Sequence, residues 1–313
     1  MQVICKMSAG MPMSAVAPPQ PVPIFSGFDY VTVDARRRRV YAAHTESNAL
    51  LIVDADSGNV LGQVKVGNLH GVAVDPASGY VFTGNGTDQT LSEVDPVTMK
   101  ELRTAGVAGN VDAIAFDPSN GRIYADEDDG THIYVVDAKT MKSVGTVDLP
   151  GHKPEYLSVN PMTHEIYQNI TDLNEVAVID PKTLKVKRTF ATPAVTDNHP
   201  LQFDPAYDHV LVGGRNGFLA VYTAAGRLVG KTAIPQRGVD QCDLDRTSHL
   251  IACAGSGMIS VLRDKPNAAP ELLTTAVISA RAHTVAIEPK SKTVWTVWPQ
   301  PTGDFVQGFK TGQ

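Results

Sequence analysis

The sequence predicts an all-β chain folded as a single seven-bladed β-propeller of four-stranded antiparallel blades. Three observations carry this expectation. An apolar strand ending in an acidic or amide residue recurs with that residue at Asp34, Asp75, Asp117, Asn160, Asp204, Asp245 and Glu288, in steps of 41 to 44 residues. Each copy then holds further short apolar runs separated by turn residues, four strand patterns in all, which is the content of one propeller blade. No convincing amphipathic helix interrupts the series, so an α/β alternative lacks its main signal.

The elements follow in order. Residues 1–20 read either as a remnant of an export signal, because "SAVA" before "PPQ" resembles a small-residue cleavage site, or as a Pro/Ala-rich tail. The propeller occupies residues 21–313. The last copy has only three strand patterns, near "TVAIEP", "TVWTVW" and "FVQGFK", and "VPIF" (Val22 to Phe25) supplies a spare strand that completes it. Closing the ring in this way removes an open sheet edge.

Bulk composition narrows the functional classes. A net charge of −6 on 313 residues argues against a nucleic-acid partner, which calls for a basic surface. No run approaches the roughly 18 to 20 apolar residues that span a bilayer. A closed ring has no edge that needs covering, so a monomer is expected. Three cysteines form no CxxC pair. Cys242 and Cys253 fall opposite each other across the turn "DRTSHL", where they form a disulfide in an exported protein or two small buried thiols in a cytoplasmic one. A periplasmic or secreted location is the expectation, a cytoplasmic one the alternative. There is no GxSxG elbow, P-loop, dinucleotide fingerprint or HExxH pair, so serine hydrolase, NTPase, Rossmann dehydrogenase and zincin chemistry lose their signatures.

The phrases "VAVDPASGYVFTGNGTDQTLSEVDPVT", "IAFDPSNGRIYADEDDGTHIYVVDAKT" and "LSVNPMTHEIYQNITDLNEVAVIDPKT" resemble the YVTN-repeat β-propeller family, with its YncE-like, surface-layer and lactonase-like members. The likeness covers roughly residues 22 to 310. It implies the fold strongly and the function weakly, because that family mixes exported binding proteins with members resembling lactonases and lyases.

Aligning the repeats on their innermost strands places Asp29, His70, Asp112, Glu155, His199, Asp240 and His283 at one position, two residues before each strand. With 33 Asp and Glu and 9 His in the chain, seven titratable residues out of seven is a coincidence on the order of one in a million before the choice of register is allowed for. Inner strands line the axis, so these side chains meet at one mouth of the channel. Histidines approach from nearly evenly spaced blades, and His70, His199 and His283 are the expected ligands of one divalent transition metal, whose identity the residues leave open. In architecture alone this is similar to the carotenoid-cleavage oxygenases. Glu155, Asp112, Asp240 and Asp29 are the expected catalytic acids and bases.

Around that mouth, Lys153, Arg281, Arg215, His44 and Trp298 are candidate substrate-binding groups, with Asn169 and the run Asp126 to Asp129 as further wall. "DEDDGT" lacks the ligand spacing of a helix-loop-helix calcium hand, and Arg36 to Arg39 lie in a turn at the opposite face. Three readings of the ring compete: a metal-dependent enzyme acting on a small organic substrate by lactone hydrolysis or lyase-type elimination, with metal-dependent oxidation behind them; an exported binding or scaffold propeller; and a wet polar channel without a ligand. A structural histidine network of the Trp-Asp repeat type would need a Trp-Asp pair that is missing here.

Overall fold

Every repeat closes its first turn with the same device. The computed structural model describes residues 13–22 and 27–312, and in it the recurrent acidic or amide side chain accepts the backbone N–H two residues on: Asp34 from Arg36, Asp75 from Ala77, Asp117 from Ser119, Asn160 from Met162, Asp204 from Ala206, Asp245 from Thr247 and Glu288 from Lys290. A short side chain that can accept from its own turn competes well for this place. Four residues after each comes a left-handed residue: Arg38, Gly79, Gly121, His164, Asp208, His249 and Lys292, with φ between 53° and 79°. Only two of the seven are glycines, so five blades tolerate a conformation that side chains adopt reluctantly.

These turns connect the first two strands of seven antiparallel sheets arranged in sequence order. The inner strands are Val31–Asp34, Leu69–Val74, Val111–Asp117, Pro154–Val159, Asn198–Asp204, Val239–Asp245 and Thr284–Glu288. Middle strands such as Ala49–Asp54 and Glu175–Asp180 are near-continuous apolar runs and are buried along almost their whole length. Both of their faces pack on neighbouring blades, which is why they do not alternate. Outer strands such as Lys185–Ala191 alternate between exposed and half-buried. The one helical element among the described residues is a single 3-10 turn, Thr45–Ser47.

The apolar core is correspondingly divided among the spaces between adjacent blades. One cluster joins Leu50 and Ile52 to Leu69 and Val81, another Val176 and Val178 to Phe203 and Val210. The last blade is completed by the N-terminal segment. Gln20–Val22 pairs with Gly303–Lys310, Val22 opposite Asp304, and Ser14–Ala15 pairs farther along the same strand. Of the closing segment read from the sequence, Val22 takes part; residues 23–25 lie outside the described residues, as do residues 1–12 of the stretch read as a tail. Cys242 and Cys253 are register partners with Cα atoms 4.1 Å apart and form a disulfide.

Removing the chain through Val22 strips the strand that covers Gly303–Lys310 and uncovers a core that includes Trp295 and Val306. The truncated protein should unfold at lower temperature and associate in a concentration-dependent way through the freed edge. Thermal unfolding and light scattering check this, and unchanged behaviour in both would show that closure contributes nothing.

Candidate functional site

The titratable ring forms at the end of the axis where the inner strands begin. In blades two to six each ring residue is the second residue of its strand. Register against the neighbouring strand slips beside it, between Leu69 and Val72, Val111 and Ile114, Glu155 and Leu157, Asn198 and Leu201, and Val239 and Gln241. A bulge bends the strand and re-aims one side chain, and here it accompanies the placement of a polar group at the mouth. Gly71 permits a close approach between blades: a Cβ there would lie 2.5 Å from the backbone oxygen of Asp112.

The ring divides into clusters. His70 Nδ1 lies 2.6 Å from Asp29 Oδ2 and 3.7 Å from Asp112 Oδ1, so blades one, two and three each contribute one group. One ligating atom from each of these residues falls within 4.8 Å of the others, the one such group of three found among the described residues. On the far side, His199 Nε2 lies 3.0 Å from Glu155 Oε2 and 3.7 Å from Asp240 Oδ1. His199 Nδ1 donates to the carbonyl of Asp240 at 2.9 Å.

The three histidines therefore do not gather round one point. His283 directs Nδ1 toward the carbonyl of Arg281 at 2.9 Å and Nε2 toward that of Phe28 at 3.1 Å, which occupies both of its nitrogens. Even spacing round a ring fixes the direction from which a side chain arrives and says nothing of how far it reaches or which acceptor it finds first.

Electrostatics follow from crowding. Burial raises the Asp112 carboxyl well above the ordinary range, and Asp29, Asp126 and Glu155 raise it further. Asp126 is raised by burial and by Glu155, against the hydrogen bond from Gln168. Asp240 is raised by burial and by Asp29, against His199 and His283. For His199 burial works downward, yet its hydrogen bond to Glu155 and the charges of Glu155 and Asp240 outweigh it and raise the imidazole. Both His199 nitrogens face acceptors, which favours the doubly protonated ring.

The expected wall is only partly present. Arg215 donates to Asp240 Oδ1 at 3.2 Å and is the one expected cation paired with a ring carboxylate. Lys153 is exposed and faces exposed Asp129 at 3.4 Å, a pair of little energetic weight; Arg281 is exposed and offers the ring only its carbonyl. His44 and Trp298 do not line the mouth. His44 is fully buried, stacked on Phe28 and bonded to Asp304 at 2.7 Å and Gln63 at 2.9 Å. Trp298 is buried against Phe305. Asn169 and Asp126 are buried as well and act as braces: Asn169 donates to the carbonyl of His199, and Asp126 accepts from the Ala113 N–H and from Gln168.

Sequence reasoning missed the floor beneath the ring. Tyr30 from blade one and Tyr156 from blade four meet across the axis, ring centroids 5.4 Å apart, and Tyr30 directs its hydroxyl toward Asp112. Gln202 donates to the Tyr156 hydroxyl at 3.1 Å and to the Cys242 carbonyl at 2.9 Å. The Gln241 amide exchanges hydrogen bonds with the backbone of Val31 and accepts from Val285. These residues stand one or three places after ring members, so their spacing is visible in the sequence, but their reach across the axis is not.

No family model matches the chain, and no curated protein sequence does. Among solved structures, hydrazine synthase of Kuenenia stuttgartiensis is similar over 90% of this chain and 95% of that one, with a TM-score of 0.79 and 14% identity. At that identity the likeness shows the propeller fold alone. Among the described residues no helix is long and apolar enough to cross a membrane.

His199 supplies a pH signature. Its folded value lies above its unfolded value of about 6.5, so its contribution to stability is complete below that pH and fades as pH rises through the folded value. Glu155→Gln should lower the His199 titration midpoint followed by NMR, and should cost most stability between roughly pH 5 and 6.5, where the unfolded histidine is still protonated. An unmoved midpoint would show that Glu155 does not set the charge of this imidazole.

Proposed function

We propose that the acidic mouth binds one divalent transition-metal ion through Asp29, His70 and Asp112, and that it serves metal-dependent hydrolysis or elimination on a small organic substrate. The observation that carries this reading is the convergence of two carboxylates and one imidazole from three consecutive blades, with ligating atoms within 4.8 Å of one another. Two hard oxygen donors and one borderline nitrogen suit manganese, iron(II) or zinc. Such an ion would polarise a carbonyl or acidify a bound water.

The remaining ring residues complete the chemistry. Glu155 and His199, 3.0 Å apart, hold a proton between them, and Asp240 with Arg215 stands beside them. This pair is placed to give or take a proton at a substrate lying over the mouth. The repeat phrases similar to YVTN propellers, whose members include lactonase-like proteins, support hydrolysis or elimination over oxidation. The disulfide between Cys242 and Cys253 supports an oxidising compartment, hence a periplasmic or secreted protein.

A second reading, an exported YncE-like binding propeller without catalysis, draws on the internal neutralisation of the ring by the His199–Glu155 and Arg215–Asp240 pairs. Calorimetric titration of chelator-stripped protein with Mn²⁺ and with Zn²⁺ separates the two. The metal reading expects about one ion per chain, weakened at least roughly tenfold by His70→Ala or Asp112→Asn and little changed by His199→Ala. Absence of saturable binding, or equal losses in all three variants, would sink this ligand assignment.

A further inference from the structure

The other end of the axis holds a second chamber. Below Tyr156 and Gln202 the inner strands enclose a cavity of about 630 Å³, within the range of small-molecule sites. Its walls are mixed, with apolar side chains such as Val33, Val74, Ile114, Phe116 and Leu244 from four inner strands beside polar ones such as Gln202 and Asp243. The tyrosine and glutamine floor lies between it and the acidic mouth.

Most polar groups at this end are already satisfied. Asp34, Asp117 and Asp245 accept N–H groups of their own turns. Asp243 accepts from the Ile287 N–H at 2.7 Å; burial pushes its carboxyl upward, against that hydrogen bond and the charge of Arg246. Arg36 donates to the carbonyl of Pro76. Arg246 is different. It lines the cavity and a second one of about 410 Å³ beside it, solvent reaches it, and it makes no hydrogen bond or ion pair among the described residues, although the charges of Asp243 and Asp204 act on it from nearby.

A guanidinium offers five N–H donors in a planar fork that matches a carboxylate, and in a recess walled by blades it meets less competition from water than on an open surface. One cation of this shape, set over aliphatic and aromatic walls, fits a single planar anionic group attached to an apolar body. We infer that the lower cavity binds a small organic monocarboxylate, its carboxylate held by Arg246 and its apolar portion packed against Val74, Ile114 and Phe116.

Phenylacetate is a suitable probe, with phenylacetamide as its uncharged counterpart. Calorimetry on the full chain should show saturable one-to-one binding of phenylacetate, at least tenfold weaker binding to Arg246→Gln, an intermediate loss for Arg246→Lys, and no saturable binding of the amide. Unchanged thermal unfolding of the variants shows that the fold is intact. His70→Ala should bind phenylacetate as the wild type does, so the outcome does not depend on the metal reading of the upper mouth. No saturable binding of phenylacetate to the wild type, or equal binding to Arg246→Gln, would overturn the inference.

Discussion

Seven inner strands converging on one axis leave a hole that must be filled or wetted, and the way this chain fills it governs everything else at the centre. Tyr30 and Tyr156 reach toward each other from opposite blades, while Gln202 ties blade five to blades four and six on either side and Gln241 reaches from blade six to blade one. A buried amide left unpaired is costly, so these residues are held in place by the blades and hold the blades in turn. The channel becomes two chambers that share a floor. One is an acidic mouth, the other a recess of mixed lining in which Arg246 makes no hydrogen bond or ion pair among the described residues.

The floor also bears on the acidity of the mouth. Asp112 sits over Tyr30, and Asp126 is buried behind it, so carboxylates are packed where water is scarce. Burial and mutual repulsion then act in the same direction on Asp112 and Asp126. Histidine, arginine and, on our reading, a metal ion are the available remedies. His70 serves the Asp29 and Asp112 side, while His199 and Arg215 serve Glu155 and Asp240.

The fold was legible in the sequence because its determinants are local and repeated. The residue at Asp34 and its six counterparts caps a turn within two positions of itself, so the signal survives without knowledge of the tertiary structure. The position of the ring was legible for the same reason: one register, seven blades. Its pairings were not. Whether His283 meets a metal or the carbonyl of Phe28, and whether His44 faces the mouth or Asp304, depends on side-chain reach and on contacts more than 250 residues apart in the chain. Trp298 misleads similarly, since an aromatic residue near a loop reads equally as pocket wall and as blade interior. Arg246 carries no signal in the sequence, since a charged turn residue is usually solvated; only the cavity around it makes it notable.

The central claim is that blades one to three build a metal site from Asp29, His70 and Asp112. Anomalous diffraction from crystals soaked in Mn²⁺ tests it most directly, because it locates the ion without reference to activity. The account predicts one strong peak between His70 and the two carboxylates. A peak placed instead among His70, His199 and His283, or no ordered manganese at the mouth, would contradict it.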